Sequence, residues 1–441
     1  MEFLIKAGQL ILSLSILIVL HEFGHYLPAR AFKTRVEKFY LFFDYKFSLF
    51  KKKIKDTEWG IGWIPLGGYV KISGMIDESM DTDQMKQEPQ PYEFRTKKTW
   101  QRLIIMIGGI VVNFIVGILI YCMVLFVWGE DYYKMEDLKN GFAVHESFKE
   151  YGFRDGDQIL DIDGETPADI LDVNVMLLLR SGKAVHVKHT DGTEETISVH
   201  DDIEWDMFEK GAMTAFAPRI YSVVGYVDST MNASKAGMQK GDSIVSINAM
   251  PITYFDQFTT EIKKHKGEEV AIGFYRDTAL MSLNIATDTS GRIGIVNKNV
   301  TDFYPVRHRD YSFGEAIPAG FNMAFTTLND YVTQMKFLFT KKGATSIGGF
   351  GSFGSLFAPT WDWHSFWLLT AFISIVLAFM NFLPIPALDG GHIMFLLYEM
   401  ITGRKPSDKF MEYAQMVGII LLLGLLVFAN GNDIYKWITG G

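Results

Sequence analysis

The sequence predicts an α-helical membrane protein of about four transmembrane helices, with a small membrane-reentrant β element and two tandem α+β domains outside the lipid. Three observations carry this reading. Apolar runs that can cross a bilayer occupy residues 4–26, 103–127, 366–383 and, more marginally, 417–429. Between the second and third runs, a stretch beginning at Gly152 recurs at Gly237, 85 residues later. After the first run, aromatic and β-branched residues alternate with glycines from Trp59 to Met75, which predicts short strands and a tight turn. The chain therefore divides into five parts. Residues 1–128 and 366–441 form the two halves of a membrane core, 129–215 and 216–304 the two repeats, and 305–365 an amphipathic helix and linker.

The first run leads straight into His21-Glu22-Phe23-Gly24-His25. Histidines four apart project from one face of a helix, and two imidazoles at that spacing can share one Zn²⁺. Glu22 is placed to take a proton from water at that metal. The competing reading is a polar helix end that simply meets water. Depth argues against it. From Leu4 to His21 the helix rises about 25 Å in a hydrocarbon core of about 30 Å, where ionisable groups are costly and tend to be functional. A cleaved signal peptide is not expected either. No small-x-small site follows, and cleavage would discard both histidines.

The β stretch comes next. Beside a membrane active site, such strands offer an edge on which an extended peptide can pair. The alternative is a surface hairpin that buries Trp59 and Trp63. Asp77 to Pro91 is polar and acidic and reads as a flexible loop. The second span, 103–127, carries no charge. Its Gly108-Gly109 and Asn113 read as close helix packing.

The repeats follow. In each, a Gly-Asp turn (Gly156-Asp157, Gly241-Asp242) feeds an alternating strand that ends in a turn, Asp163-Gly164 and Asn248-Ala249. The pattern is that of PDZ-like domains, which bind peptides by extending a sheet edge. Gly291 to Ile295 would close the second copy's groove, and inert spacers are the competing reading. Phe313 to Phe339, with Lys336, Lys341 and Lys342 at its end, reads as an amphipathic helix lying on the outer membrane surface. Gly348 to Gly354 reads as a flexible linker.

The third span ends in Asn381-Phe382-Leu383-Pro384-Ile385-Pro386-Ala387-Leu388-Asp389-Gly390-Gly391-His392. Pro384 and Pro386 cannot continue a regular helix, and unwound backbone in lipid is tolerated where protein buries it or water reaches it. Asp389 is the candidate third metal ligand, although an Asp-Gly turn at the interface would look the same. His392 is given no ligand role.

Charge and composition bound the rest. Residues 30–102 carry 15 Lys/Arg against 10 Asp/Glu, whereas 129–365 carry 22 against 34. The positive-inside rule then puts the first loop, and the loop with Arg404, Lys405 and Lys409, in the cytoplasm. Both termini and the repeats fall outside. Spans one and three then run the same way, so the histidines and Asp389 share the cytoplasmic leaflet. A net charge of −9 gives no sign of nucleic-acid binding. Cys122 is the one cysteine, so an internal disulfide is excluded.

Taken together, the chain resembles the site-2 protease family of intramembrane zinc metalloproteases, in its bacterial branch. The resemblance rests on His21 to His25, Pro65-Leu66-Gly67-Gly68-Tyr69-Val70-Lys71, Gly109-x-x-x-Asn113, the tandem PDZ-like copies and Asn381 to His392. It implies Zn²⁺ held by His21, His25 and Asp389, with Glu22 as general base and acid. It implies that Gly67, Gly68 and Tyr69 pair with substrate on a reentrant strand, with Asn381 and Pro384 at the substrate near the scissile bond. It also implies a multi-pass protein of the bacterial cytoplasmic membrane, cutting single-pass transmembrane substrates such as anti-sigma factors after a first cut, or leftover signal peptides. The PDZ-like pair would be a size filter. Gly109-Ile110 departs from the family's common Gly-Pro. The rival from another class is a non-catalytic membrane-anchored PDZ scaffold with a structural metal site.

Overall fold

A computed structural model describes residues 1–75 and 87–439; most of the expected Asp77–Pro91 loop lies outside these residues. The chain forms two compact units, one of Met1–Gly129 with Asp310–Gly441 and one of Glu130–Arg309.

The first unit holds four helices long and apolar enough to cross a membrane. The first span is Glu2–Ala31, the second Thr99–Trp128, the third Trp363–Phe382 and the fourth Asp408–Thr439. The second span is the hub. Gly24 and Gly108 lie backbone to backbone where it crosses the first span. Gly117 lets it seat on Ile375 and Ala371 of the third. Inside lipid, where apolar contact alone gives little drive, small residues and polar pairs carry such contacts. The polar pairs are present. Ser374 Oγ donates to the Asn113 carbonyl at 2.7 Å, and Thr370 Oγ1 meets Ser13 Oγ at 3.0 Å.

Two expectations are corrected in this unit. The helix Phe313–Leu338 does not lie on the membrane surface. It runs antiparallel along the second span: Phe313 packs edge-on to Phe126, Gly320 sits on Cys122, and Phe325 packs against Phe114. The reason is a stripe of buried small residues, Ala316, Gly320 and Ala324, four apart on one face. The Gly348–Gly354 stretch is not a flexible linker either. It holds the helix Phe350–Ser355, whose start is pinned by Asp433, which accepts from the Gly349 and Ser352 N–H groups at 3.0 Å.

After the first span comes a four-stranded sheet of β1 (Val36–Phe43), β2 (Phe50–Ile54), β3 (Thr57–Ile61) and β4 (Ile64–Ile72), in the order β2-β3-β1-β4. β4 is an edge strand, paired antiparallel to β1 with Tyr40 opposite Tyr69 and Leu41 opposite Gly68. It packs against the first span. Phe39 stacks on Trp59 at 4.6 Å, and Phe23 and Tyr26 of the first span close over the pair. Trp63 stays exposed and stacks on Phe47.

In the second unit the repeat is physical. Asp157 accepts from the Arg154 N–H at 2.8 Å, and Asp242, 85 residues on, accepts from the Gln239 N–H at 2.8 Å. Each copy has an antiparallel sheet started by the repeated strand, Gln158–Ile162 or Ser243–Ile247. Each also pairs a strand that precedes the repeated one with a strand near its end: Phe142–Val144 with Phe216–Pro218, and Val224–Val227 with Ile295–Asn297. The first copy's pairing therefore runs through Pro218.

Each buried aspartate has a basic partner. Arg276 makes a fork to Asp242 with two bonds of 2.8 Å. His189 sits between Asp157 and Glu195, 2.7 Å from each. Burial pushes the His189 imidazolium down, but the two carboxylates outweigh it and hold the ring above its ordinary 6.5. A group raised in this way stabilises the fold fully below its unfolded pKa and stops doing so as pH climbs through the raised value. Wild type should therefore unfold at a higher temperature than His189→Gln at about pH 6, with the gap narrowing as pH rises above the ring's ordinary value. A gap that is flat with pH, measured by scanning calorimetry of the full chain, contradicts this role.

Candidate active site

The first span presents both imidazoles to one point. His21 Nε2 and His25 Nε2 are 3.2 Å apart, with the rings at 82° to each other. The third contributor arrives from the far end of the chain. The third span stops at Phe382, the Pro384-Ile385-Pro386 turn follows, and a new helix, Asp389–Thr402, starts on Asp389. This helix was not read from the sequence. Ala387 in the turn takes φ of 79°, and its N–H is held by Gln415 Oε1 of the fourth span at 3.2 Å. Asp389 Oδ2 thereby lands 3.3 Å from each Nε2.

These spacings test the site for zinc. Donors at about 2.0–2.1 Å from a tetrahedral ion are about 3.3 Å from one another. The triangle here has sides of 3.2, 3.3 and 3.3 Å. His25 Nδ1 faces the Ile105 carbonyl at 2.9 Å, so it carries the proton and Nε2 keeps its lone pair. Asp389 Oδ2 is buried and accepts no hydrogen bond. Lone pairs this close, with nothing else to satisfy them, call for a cation between them. Among the described residues this is the one such cluster of three or more His, Cys, Asp or Glu side chains.

A cavity of about 450 Å³ opens on the cluster. His21, Glu22, His25 and Asp389 line it, and Tyr69 and Val70 of β4 form part of its wall. Glu22 is 9 % exposed, which leaves its carboxylate on the cavity and little else. Tyr69 is fixed in place by its hydroxyl, which donates to Asp44 Oδ1 at 2.8 Å and lies 3.3 Å from Lys38 Nζ. Gly68 lies against Ile18 and the Tyr40 carbonyl, so a side chain there would drive β4 off the first span.

The structure thus brings His21, Glu22, His25, Asp389 and Tyr69 to one cavity. Gly67, Gly68, Asn381 and Pro384 lie outside its lining, Gly67 against the Phe43 ring, Gly68 against Ile18, and Asn381 and Pro384 at the end of the third span. His392 does line the cavity. Two residues given only a packing role, although their motif is part of the family resemblance, turn out to serve the rings. Asn113 places its side-chain amide 3.2 Å from His21 Nδ1. Gly109 lies directly under both imidazoles. A Cβ there would collide with His25 Nε2 and come within 2.6 Å of His21 Cε1. Their spacing of four in one helix was the available signal, but its target was not visible without the fold.

A cluster of metal-ligating side chains set among membrane-length helices, open to a cavity of about 450 Å³ that can admit water, is equipped for hydrolysis where lipid would otherwise exclude it. The class this defines is an intramembrane metalloprotease. The chain matches peptidase family M50 over residues 9–425 and belongs to that family, the site-2 proteases. It is 27% identical over 460 residues to Protease RseP of Yersinia pestis, covering 98% of this chain and 99% of that one. It is 28% identical over 464 residues to the Regulator of sigma-E protease RseP of Escherichia coli K12, again covering 98% and 99%. A Neisseria meningitidis protein whose name describes it as a zinc metalloprotease is 27% identical over 456 residues, covering 97% and 98%. The protein is therefore a membrane-embedded zinc metalloprotease.

Gly109→Ala should keep the helix and displace the rings, weakening zinc binding by about 10-fold or more. Unchanged zinc retention after dialysis against a chelator contradicts the ring placement.

Proposed function

We propose that this protein cuts peptide bonds inside transmembrane segments, using zinc held by His21, His25 and Asp389 with Glu22 as the proton carrier. The triangle of donors, with sides of 3.2, 3.3 and 3.3 Å, is the observation that carries it. Bound there, zinc supplies Lewis acidity, making a water nucleophilic near neutral pH and polarising a carbonyl. Glu22 takes the proton from that water and passes it to the leaving amine nitrogen. Its burial keeps bulk water from competing for the proton. Zinc held by these three side chains would keep a place for water, whereas a structural zinc is closed by four protein ligands. That difference favours the enzyme over a scaffold with a structural metal.

A transmembrane substrate arrives as a helix, with its carbonyls hydrogen-bonded and shielded. The free edge of β4 offers those bonds an alternative partner. A substrate strand added beside Gly67 to Tyr69 becomes extended and turns a carbonyl toward the cluster. Asn381 and Pro384, where the third span ends, hold the chain near the scissile bond. The substrates are single-pass membrane proteins. Anti-sigma factors shortened by an earlier cut fit this site, in line with relatives named for regulating sigma-E, and remnant signal peptides fit as well. The two repeats, with the boundary moved from 215/216 to just after Pro218, act as PDZ-like domains that screen substrates by size. The protein sits in the bacterial cytoplasmic membrane with both termini and the repeats outside.

The test is cleavage of a synthetic transmembrane peptide by the purified full chain, with and without a zinc chelator. Glu22→Gln should retain zinc and slow cleavage by about 10²–10⁴-fold. Asp389→Ala should lose both zinc and cleavage. Cleavage by Glu22→Gln at the wild-type rate, or full zinc content in Asp389→Ala, overturns the assignment.

A further inference from the structure

Both histidines owe their orientation to one face of the second span. Ile105 and Asn113 are eight residues apart, two helical turns or about 12 Å, with Gly109 midway beneath the rings. Ile105 fixes His25 by offering its carbonyl to Nδ1 at 2.9 Å. That contact decides the tautomer, since a ring whose Nδ1 holds the proton presents a bare Nε2.

Among the described residues, no backbone carbonyl holds His21 Nδ1 in that way. What faces its Nδ1, at 3.2 Å, is the Asn113 side chain. The amide is 1 % exposed and its Oδ1 has no hydrogen-bond partner. As placed, Nδ2 is the end turned to the imidazole. A half-turn about the Cβ–Cγ axis of the asparagine exchanges the two ends without moving the backbone, which Ser374 holds through the Asn113 carbonyl at 2.7 Å. Only one of the two orientations serves a metal ligand. With Nδ2 inward, Nδ1 must accept, and the ring proton sits on Nε2, pointing at Asp389. With Oδ1 inward, Nδ1–H donates to it and Nε2 is free.

We propose that Asn113 is a positioning residue that selects the metal-binding tautomer of His21 by accepting its Nδ1–H on Oδ1. The residue does for the first histidine what the Ile105 carbonyl does for the second. Asparagine suits this task better than a purely acidic group, because it can accept that proton's hydrogen bond without adding charge to a buried site that already holds Glu22 and Asp389. The inference rests on the zinc site proposed above and adds a residue outside its ligand set.

The experiment measures zinc dissociation constants by chelator competition on the detergent-solubilised full chain. Wild type, Asn113→Leu, Asn113→Ala, Asn113→Asp and His21→Ala are compared. Leucine keeps the shape and removes the acceptor; aspartate keeps the acceptor. Asn113→Leu and Asn113→Ala should bind zinc about 10–100-fold more weakly, while Asn113→Asp stays within about threefold of wild type. In excess chelator Asn113→Asp should unfold no higher than Asn113→Leu, because of its buried charge, so zinc affinity restored by aspartate reports the acceptor and not packing. Zinc binding by Asn113→Leu and Asn113→Ala that matches wild type, with His21→Ala deficient, overturns this inference and leaves the zinc site standing. Equal weakening in Asn113→Asp and Asn113→Leu also overturns it, since a restored acceptor would then restore nothing. Wild-type affinity in His21→Ala overturns the zinc site and this inference together.

Discussion

Three electron-pair donors held about 3.3 Å apart in lipid repel one another unless a cation sits among them. Much of the first unit serves to hold them there. His21 and His25 need a helix that stays regular down to Ala31, and the first span provides it. Asp389 needs the opposite, a chain that stops being helical at the same depth. The Pro384 and Pro386 turn breaks the third span, Ala387 takes a left-handed backbone, and the next helix starts on the aspartate itself. A carboxylate at a helix N-terminus is favoured by the exposed N–H groups there. The two halves of the site are thus built by contrary local rules and meet in one place.

The second span reconciles them. It carries no metal-ligating side chain, yet it touches the first span, the third span, the helix Phe313–Leu338 and the helix that begins at Asp389. Its glycines decide how closely these elements approach. Gly108 sets the crossing with the first span, Gly109 clears space for the imidazoles, and Gly117 seats the third span. Arg102, near its start, reaches Glu399 at 2.5 Å and so ties it to the helix that carries Asp389. Where apolar contact gives no net drive, these close approaches and buried polar links fix the geometry.

Much of this was legible in the sequence because the signals were local. Apolar run length gave the four spans, a spacing of four gave the histidine pair, and an 85-residue offset gave the repeat. Asp389 could be picked out because spans one and three run the same way and bring it, after a helix-breaking proline turn, to the depth of the histidines. What stayed hidden depended on tertiary neighbours. Ala316, Gly320 and Ala324 are a packing stripe only once the second span lies against them, so their helix read as a surface one. Gly349 and Ser352 begin a helix because Asp433, from the far end of the chain, caps them. Asn113 and Gly109 looked like ordinary packing residues, since nothing in the sequence places His21 opposite one and both rings over the other.

If the zinc site proposed above is right, the histidine pair and Asp389 grip one metal ion and leave it a place for water. X-ray absorption at the zinc edge, on the purified full chain with its zinc content counted, tests this most directly. The expected result is one zinc per chain, a first shell of nitrogen and oxygen at about 2.0–2.1 Å, and outer-shell scattering from two imidazoles. Replacing Asp389 should alter that shell. Scattering from sulfur, a single imidazole, or a spectrum indifferent to Asp389 would contradict it.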